Sequence, residues 1–263
     1  MTPEEALAVL ADRPEATCVV TDFDGTLSPI VARPEDAAPL PGAPEALGRL
    51  AGRFGRVAVV SGRPATFLSE RLGLAGGVPD HLFVVGLYGL ESLGPHGEVV
   101  VAPDAEQWRD AVALAADEAE ADGPAEMGVE RKGLTVTLHW RRAPGAEGWA
   151  KDFAERAAGR LGLAAHLARA SVELRPPVAV DKGTAVESLV AGFEVACFAG
   201  DDLGDLPAFA ALDRFAAGGG RAVKVGVRSS EAPSELLAAA DVTVDGPQEV
   251  LALLGQLAER AGG

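Results

Sequence analysis

Short apolar runs alternate with Ala- and Leu-rich stretches along almost the whole chain, which is the pattern of a parallel β-sheet wrapped by helices. Each apolar run has the length of a strand and falls far short of the length needed to span a bilayer. The runs that we predict to be core strands are Thr17 to Asp22, Arg56 to Ser61, His81 to Gly86, Phe193 to Gly200 and Ala222 to Val227, with Asp241 to Val244 as a candidate sixth. The pattern therefore predicts an α/β core.

The pattern changes between Pro103 and Pro176. There it predicts a helix, two strands, a second helix and two more strands, and prolines mark both ends of the stretch. The predicted elements are a helix from Ala105 to Ala121, strands near Met127 to Arg131 and Leu134 to Trp140, a helix from Glu147 to Leu161, and strands near His166 and Val172. We interpret residues 104–176 as an inserted α+β domain and residues 1–103 with 177–263 as the core.

Composition and charge narrow the choice of partner. The chain has 263 residues, of which 48% are hydrophobic, and a formal net charge of -16. Nucleic acids and anionic membrane surfaces repel so acidic a protein, so neither is an expected partner. The first residues resemble a helix capped by Thr2, with Pro3 in its first turn, and they lack a secretory signal. We therefore expect a cytoplasmic protein, and the oligomeric state stays open.

Two cysteines, Cys18 and Cys197, lie in predicted strands, and we interpret them as inert core thiols instead of a redox pair. Each lies four residues before an aspartate, Asp22 or Asp201. If the two aspartates approach one metal ion from neighbouring parallel strands, equal counting places the thiols side by side across a strand spacing of roughly 4.8 Å. This register is a second expectation that a structure can test.

The strongest chemical signal is the segment from Asp22 to Leu27, Asp-Phe-Asp-Gly-Thr-Leu, which follows the first strand. Ligand sites in open α/β sheets lie beyond the carboxyl ends of the strands. There Asp22 could attack phosphorus and Asp24 could transfer protons, while Gly25 allows a sharp turn and Thr26 offers a hydroxyl and an amide to phosphate oxygens. The alternative is an acidic surface turn that caps a helix.

Two further segments could hold phosphate. Ser61-Gly62-Arg63 ends the second strand, and its hydroxyl and the amides that follow could bind phosphate oxygens. The alternative is a Ser-capped helix with an exposed arginine. Lys182 opens a helix after Asp181, where its charge could neutralise both nucleophile and phosphate, although a surface lysine is equally compatible with the residues alone.

A second group of carboxylates follows the strand that ends near Gly200, in the sequence Asp201-Asp202-Leu203-Gly204-Asp205. Magnesium prefers hard oxygen ligands, so Asp22, the carbonyl of Asp24 and one carboxylate of this group would form a plausible Mg²⁺ site. A bound cation would let an anionic aspartate approach an anionic phosphate. A calcium loop or a purely structural acidic loop is the alternative.

Taken in chain order, these four segments resemble the haloacid-dehalogenase-like phosphatases, a superfamily with a doubly wound, mostly parallel-sheet core. The resemblance implies that Asp22 is the nucleophile, Asp24 the acid and base, and Ser61 and Lys182 the phosphate-holding residues. It implies that Asp201 is a metal ligand beside Asp22 and Asp24, with supporting roles for Asp202 and Asp205. The stretch between the Ser and Lys segments falls where one class of these enzymes carries an α/β cap.

Finer features are similar to the trehalose-6-phosphate phosphatase family. They are Ser61-Gly62-Arg63, Gly86-Leu87-Tyr88-Gly89-Leu90-Glu91, Glu130-Arg131-Lys132, His139-Trp140-Arg141, and Glu173-Leu174-Arg175-Pro176 before Asp181-Lys182-Gly183. In that family, residues at the positions of Glu130, Lys132, Arg141 and Glu173 bind the sugar. Two departures stand out: Gly204-Asp205-Leu206 replaces a Thr-Asp-Glu pattern, and Arg169 replaces an expected lysine.

The resemblance predicts a Mg²⁺-dependent phosphatase for trehalose 6-phosphate that works through an aspartyl-phosphate. Other sugar phosphates, such as those of sucrose or mannosyl-glycerate, are alternative substrates. A phosphosugar mutase and a non-catalytic sugar-phosphate-binding protein are alternatives of other kinds. For Glu130 and Lys132, an ordinary ion pair on a solvated sheet is the alternative to sugar binding.

Overall fold

A computed structural model of the chain describes residues 1–31, 33–168 and 170–262. The strands are β1 (Thr17–Thr21), β2 (Arg56–Val60), β3 (Leu82–Gly86), β4 (Glu91–Leu93), β5 (Val99–Val101), β6 (Gly128–Arg131), β7 (Val136–His139), β8 (Ala164–Ala168), β9 (Ser171–Arg175), β10 (Val195–Gly200), β11 (Arg221–Arg228) and β12 (Val242–Asp245). The helices are α1 (Pro3–Ala11), α2 (Ala43–Ala51), α3 (Ala65–Arg71), α4 (Arg109–Asp122), α5 (Glu147–Leu161), α6 (Lys182–Val190), α7 (Leu206–Ala217), α8 (Ser234–Ala239) and α9 (Gly246–Arg260).

The chain divides into two compact units. One contains Met1–Val100 and Val180–Gly263 and is called the core unit below; the other, Val101–Ala179, is called the inserted unit. The core unit is built on an eight-stranded sheet in the order β12-β11-β10-β1-β2-β3-β4-β5. The strands from β12 to β3 run parallel, and β4 joins β3 antiparallel. All six predicted core strands are therefore present.

Helices cover both faces of this sheet, as the pattern of apolar residues predicts. On one face, α1, α2, α3 and α9 pack on side chains such as Val19, Val57 and Val225. On the other face, α6, α7 and α8 pack on Val20, Phe198 and their neighbours. The first helix begins as predicted, since Thr2 accepts a hydrogen bond from the Glu5 amide in a capping box. The predicted doubly wound, mostly parallel core is confirmed.

The inserted unit has the predicted order of helix, two strands, helix and two strands. Its four-stranded antiparallel sheet has the order β6-β7-β9-β8. One face of that sheet packs on α4 and α5 through an apolar cluster that includes Val136, Leu138, Val172 and Leu174. The first helix begins at Arg109 and not at Ala105, because a short 3₁₀ turn precedes it.

The predicted register of the two cysteines is wrong by one residue. Strands β1 and β10 are neighbours, but Cys18 pairs with Ala196, and Cys197 pairs with Val19. Successive side chains in a strand point to opposite faces, so the thiols belong to different faces of the sheet. Both are buried free thiols, and burial raises the pKa of Cys197 to about 12.

Two short strands were not predicted, β4 and β5. Each has three residues, and glycine and proline lie between them, so neither has the length that identifies a strand from its pattern. Among the described residues, no helix is both long enough and apolar enough to cross a membrane.

Candidate active site

The central strand of the core sheet leads directly into the segment from Asp22 to Leu27, which is called the predicted catalytic loop below. Thr21, the last residue of β1, pairs with Ala199 of β10 on one side and with Val59 of β2 on the other. Parallel strands end at the same edge of a sheet, so the segments after these three strands converge there. Asp22 follows β1, and its amide donates a hydrogen bond to the Ala199 carbonyl at 2.8 Å.

The turn after Asp22 requires glycine at position 25. Gly25 has a φ of 74°, in the left-handed region that favours glycine. A Cβ atom there would lie 2.0 Å from a carboxylate oxygen of Asp201, so the turn and the acidic loop after β10 are in close contact. Thr26 is buried; its amide donates to the Phe23 carbonyl, while its hydroxyl has no hydrogen-bond partner among the described residues. That hydroxyl is one of the two predicted phosphate donors of Thr26; the other, the amide, is engaged with Phe23 instead.

Lys182 connects the two acidic segments. Its Nζ lies 2.8 Å from Oδ1 of Asp22 and 2.6 Å from Oδ1 of Asp205, and all three side chains are at most 5% exposed. The lysine is the first residue of α6, which begins there because Asp181 caps the helix in a box with Thr184. Lys182 is therefore not the surface lysine of the alternative interpretation.

Asp205 also shapes the loop that holds Asp201. Its Oδ2 accepts hydrogen bonds from the backbone amides of Asp201 at 2.8 Å and Asp202 at 3.1 Å. Because its Oδ1 already accepts from Lys182, both oxygens of Asp205 are engaged. Asp205 thus supports the loop and the lysine, which leaves Asp22 and Asp201 as the carboxylates better placed to bind a cation.

Electrostatics at the site reflect crowded negative charge in a buried place. Burial raises the pKa of Asp22 well above its ordinary value, against the opposing effect of Lys182. Burial and the charges of Asp205 and Asp202 raise the pKa of Asp201 to about 8. Burial lowers the pKa of Lys182, but Asp205 and Asp22 outweigh this and raise it well above its usual value.

The acidic cluster fits a divalent cation. Carboxylate oxygens of Asp22, Asp201 and Asp205, all buried, lie within 4.8 Å of one another. Lys182 supplies one positive charge against these three carboxylates, and buried like charges are costly without further compensation. Carboxylate oxygens are the hard ligands that Mg²⁺ prefers, so the residues present fit the predicted metal.

The segment after β2 brings a further predicted residue to the catalytic loop. Ser61 is buried, and its Oγ accepts the Arg63 amide at 3.2 Å. The Arg63 guanidinium donates to both oxygens of Asp24, from Nε at 2.7 Å and from Nη2 at 2.9 Å. Pro64 is the residue directly before α3. Arg63 is thus a partner of Asp24 and not the exposed arginine of the alternative interpretation.

In the inserted unit, polar side chains occupy the sheet face opposite the helices. Glu130 of β6 pairs with Thr137 of β7, and Thr137 pairs with Glu173 of β9, so the three residues form one row across the sheet. Their apolar neighbours along the strands face α4 and α5. A polar row that is this well buried on a two-layer unit is a candidate for binding a polar ligand.

Glu173 is the centre of this row. Its Oε1 accepts hydrogen bonds from Lys132 at 3.0 Å, Thr135 at 2.9 Å and Thr137 at 3.2 Å, and its Oε2 accepts from Nε of Arg175 at 2.7 Å. Burial raises the pKa of Glu173, but Lys132 and Arg175 outweigh this effect, so its pKa is lowered and the carboxylate is ionised. Glu173 therefore holds two positively charged side chains, those of Lys132 and Arg175, in fixed positions.

Lys132 and Glu130 lie beside each other, with Nζ 3.7 Å from Oε2 of Glu130. Glu130 also pairs with Nε2 of His139 at 2.8 Å. The Lys132 side chain is 10% exposed, which is too buried for an ion pair on a solvated sheet. Arg141 lies two residues beyond β7 in an exposed turn, and Arg169 lies outside the described residues.

The sequence interpretation missed Thr135, Thr137, His139 and Arg175. The signal that could have found them is alternation, since polar residues stand at 135, 137 and 139 and again at 171, 173 and 175, with apolar residues between them. The sequence alone therefore indicates that one face of β7 and one face of β9 are polar.

Comparison with known proteins finds relatives that align with most of this chain. A relative from Mycobacterium tuberculosis (strain CDC 1551 / Oshkosh), described as an uncharacterized glycosyl hydrolase, is 35% identical and aligns with 91% of this chain and 18% of its own length. The trehalose-phosphate phosphatase of Mycobacterium marinum (strain ATCC BAA-535 / M) is 33% identical over 92% of this chain and 61% of its own. The chain thus spans less than two thirds of the length of these relatives.

Solved structures show the same fold. The crystal structure of a trehalose-6-phosphate phosphatase related protein is 25% identical, with a TM-score of 0.72 over 92% of this chain and 97% of its own. A haloacid dehalogenase-like hydrolase from Bacteroides thetaiotaomicron shares the fold at 16% identity, with a TM-score of 0.59 over 90% of this chain and 98% of its own.

The family profile described as trehalose-phosphatase matches residues 20–245, a range that runs from β1 through the inserted unit to the end of β12. The match includes the catalytic loop, Lys182, the acidic cluster and the polar row of the inserted unit. The predicted family resemblance is confirmed. The chain belongs to the trehalose-phosphatase family.

Proposed function

We propose that this protein hydrolyses trehalose 6-phosphate to trehalose and phosphate, with Asp22 as the nucleophile. The observation that carries the proposal is the buried contact of Lys182 with Asp22 and Asp205, beside Asp201, where the strands of the core sheet end. A binding protein has no need for a carboxylate so placed. Membership of the trehalose-phosphatase family supports the choice of substrate.

In the first step, a carboxylate oxygen of Asp22 attacks phosphorus and the bond from phosphorus to the sugar oxygen breaks. Asp24 gives its proton to that leaving oxygen, so the sugar departs as an alcohol. Lys182 and the hydroxyl groups of Ser61 and Thr26 hold the other phosphate oxygens. Mg²⁺ held by Asp22, Asp201 and the Asp24 carbonyl would supply positive charge that offsets the repulsion between carboxylate and phosphate.

In the second step, water attacks phosphorus of the aspartyl-phosphate, and the bond from phosphorus to the Asp22 oxygen breaks. Asp24, now a carboxylate, takes a proton from that water. Asp22 returns as a carboxylate, and phosphate leaves. Lys182 stabilises Asp22 as the leaving group, as it stabilises it as the nucleophile, because it contacts Oδ1 at 2.8 Å.

For the sugar, we propose that Glu130, Lys132, Arg141 and Glu173 of the inserted unit provide recognition. A disaccharide carries many hydroxyl groups and needs donors and acceptors at fixed positions. Glu173 supports Lys132 and Arg175, and His139 supports Glu130, so the charged groups that would face the sugar are ordered before it binds. Such preorganisation reduces the entropy lost on binding.

The test is phosphate release from trehalose 6-phosphate, sucrose 6-phosphate and glucose 6-phosphate, each with and without Mg²⁺. We expect the highest kcat/KM for trehalose 6-phosphate, and loss of turnover when the metal is chelated. A preference for another sugar phosphate would change the assigned substrate but would leave the proposed phosphatase mechanism in place. An isomeric sugar phosphate as product, without free phosphate, would identify a mutase and contradict the proposal.

Mg²⁺ is expected to stabilise the protein more as pH rises. The folded-state pKa of Asp201 is about 8, above its ordinary value, so the metal-free protein holds a proton that the unfolded chain releases near pH 4. Its stability therefore falls as pH rises from about 4 to about 8. Metal binding displaces that proton, so the apparent Mg²⁺ affinity should rise by up to about tenfold per pH unit below pH 8.

The measurement is the change in Tm on adding Mg²⁺ at several pH values from 6 to 9. The change should grow up to about pH 8 and level off above it. The Asp201→Asn variant should bind Mg²⁺ more weakly and lose the part of this pH dependence that Asp201 contributes, while Asp22, whose pKa is also raised, contributes the rest. A change in Tm that is the same at every pH in wild type would contradict Asp201 as a ligand.

Lys132→Met is expected to lower activity on trehalose 6-phosphate and to leave a small aryl phosphate almost unaffected. The loss should correspond to about 1 to 3 kcal/mol, because a charged donor to the sugar is removed from a mostly buried place. Lys151→Met is the matched control, since Lys151 forms an exposed pair with Glu147 on α5. Equal kinetics of wild type and Lys132→Met on both substrates would remove Lys132 from sugar recognition.

A further inference from the structure

The guanidinium of Arg63 forms a bidentate ion pair with the carboxylate of Asp24. Nε and Nη2 donate to Oδ2 and Oδ1, at 2.7 and 2.9 Å, so the plane of the carboxylate is fixed as well as its position. The Arg63 side chain is 12% exposed and that of Asp24 is 29% exposed. A charge pair so shielded from water is not an incidental surface contact.

Arg63 is itself held from two sides. Its guanidinium lies over the ring of Phe67, 4.8 Å from the centroid. Phe67 makes an edge contact with Phe23, at 6.0 Å between centroids, and Phe23 is the fully buried residue between Asp22 and Asp24. The two phenylalanines therefore tie Arg63 to the same loop whose aspartate it grips.

The backbone of Arg63 is fixed by the segment after β3. The amide of Leu87 donates to the Arg63 carbonyl at 2.9 Å, and the amide of Tyr88 donates to the Ser61 carbonyl at 3.0 Å. Leu87 and Tyr88 both have positive φ, at 47° and 61°, a strained conformation for residues other than glycine. A Cβ at Gly62 would lie 2.4 Å from the Tyr88 hydroxyl oxygen, so any side chain at this position would require the Tyr88 ring to move.

Glu91 completes this support. It is buried, and its Oε2 accepts the amide of Ala65 at 3.0 Å, at the start of α3. The Gly-Leu-Tyr-Gly-Leu-Glu segment, to which the sequence assigned no role, thus holds the turn that carries both Ser61 and Arg63. Strain is retained where the surroundings fix it, which is typical of functional segments.

We propose that Arg63 is the positioning residue for Asp24, and that the segment from Gly86 to Glu91 keeps Arg63 in place. Arg63 does not transfer a proton; it orients the Asp24 carboxyl group that does. That group accepts both hydrogen bonds when it is ionised to receive a proton from water, and it keeps at least one of them when it carries the proton for the leaving oxygen. Asp24 must reach the leaving sugar oxygen in one step and the attacking water in the next, and a displacement of about 1 Å can cost about 100-fold in rate. The inference rests on the proposed function, because it assigns Asp24 the proton transfers.

The experiment compares wild type, Arg63→Lys and Arg63→Met on trehalose 6-phosphate and on an activated aryl phosphate. The aryl leaving group needs little protonation, so its rate depends less on where Asp24 points. Arg63→Met should lower kcat on trehalose 6-phosphate by about 100-fold and on the aryl phosphate by less than about tenfold. Arg63→Lys keeps the positive charge but cannot form the two parallel hydrogen bonds of a guanidinium. Its kcat on trehalose 6-phosphate should therefore lie between those of wild type and Arg63→Met.

Arg33→Met is the matched control. Arg33 grips Asp36 with the same two nitrogens at the same distances, 2.7 and 2.9 Å, but both side chains are exposed. It should keep wild-type kinetics on both substrates. Should Arg63→Met fail to fold, as its thermal unfolding would show, Arg63→Lys alone carries the comparison between substrates.

A double-mutant cycle with Asp24→Asn on the aryl phosphate isolates the contact. With Asp24 already replaced, Arg63→Met should add less than about twofold to the loss. A full additional loss in that background, or equal losses on both substrates with Asp24 present, would mean that Arg63 acts on the phosphate or on the loop and would overturn the proposal. Failure of the proposed function would look different, because wild type would then release no phosphate from either substrate.

Discussion

Asp22→Asn is expected to abolish turnover of trehalose 6-phosphate, with a loss on the order of 10³-fold or more. An amide cannot form the acyl-phosphate, and the substitution is almost isosteric. The fold should survive, since burial already disfavours the charged form of Asp22 and Lys182 keeps its contact with Asp205. The variant should unfold at a Tm equal to or above that of the metal-free wild type.

Steady-state phosphate release checks the loss of turnover, and thermal unfolding of the same preparation checks that the fold survives. Asp213→Asn is the control, because Asp213 pairs with Lys224 at an exposed position of the core unit. Its kinetics should equal those of wild type. Activity of Asp22→Asn within tenfold of wild type would mean that Asp22 is not the nucleophile.

Lys182→Met is expected to lower both kcat and stability. Removing the lysine takes away a charge that faces the nucleophile and the transferring phosphate, which should reduce kcat by about 10²- to 10³-fold. It also leaves the carboxylates of Asp22 and Asp205 buried without their cation, and breaking a buried ion pair in this way costs about 3 to 5 kcal/mol. The stability loss should grow as pH rises, because burial raises the pKa of Asp22 and of Asp205 and protonation neutralises these carboxylates at lower pH.

Lys224→Met is the matched control for this change. Lys224 is a mostly buried lysine of β11, 15% exposed, with its Nζ 2.6 Å from Asp213, and it has no proposed role in catalysis. It should lose some stability but no activity. Mg²⁺ should restore part of the stability of Lys182→Met. If the two variants behaved alike in kcat, Lys182 would be a structural residue only.

The core of the fold could be predicted because the candidate catalytic residues lie at the points where the apolar, strand-sized runs end. Each strand next to the site is a mostly apolar run, and Asp22, Ser61 and Asp201 follow directly where a strand ends. Strand ends meet at one edge of a parallel sheet, so residues far apart in sequence can be assigned to one site without coordinates.

Register could not be predicted in the same way. Asp22 lies opposite the residue before Asp201, since Thr21 pairs with Ala199. Equal counting from two ligands assumes that both side chains reach the metal from the same level, but here the second loop supplies its carboxylate from one residue further along. A shift of one residue turns a side chain to the other face, and this is why Cys18 and Cys197 are separated by the sheet.

Side-chain partnerships were the least predictable part of the site. The resemblance gave Arg63 a supporting role and Glu173 a sugar-binding role, but nothing in the sequence indicated that Arg63 pairs with Asp24. Nor did it indicate that Glu173 accepts hydrogen bonds from Lys132, Thr135, Thr137 and Arg175. Such contacts depend on which strands are neighbours and in what register. The alternation of polar residues on β7 and β9 could have indicated which face is polar, but the strand order β6-β7-β9-β8 was needed to assemble the row.

The central claim is that phosphate passes through Asp22, and the most direct measurement is to trap it there. The Asp24→Asn variant, which should be slow to hydrolyse the intermediate, is quenched in acid during reaction with an activated aryl phosphate, whose leaving group needs little protonation, then reduced with borohydride and digested. Borohydride converts an aspartyl-phosphate to homoserine, which mass spectrometry locates in the peptide that contains residue 22. We predict homoserine at residue 22, dependent on substrate; its absence there, while wild type releases phosphate, would contradict a covalent intermediate on Asp22.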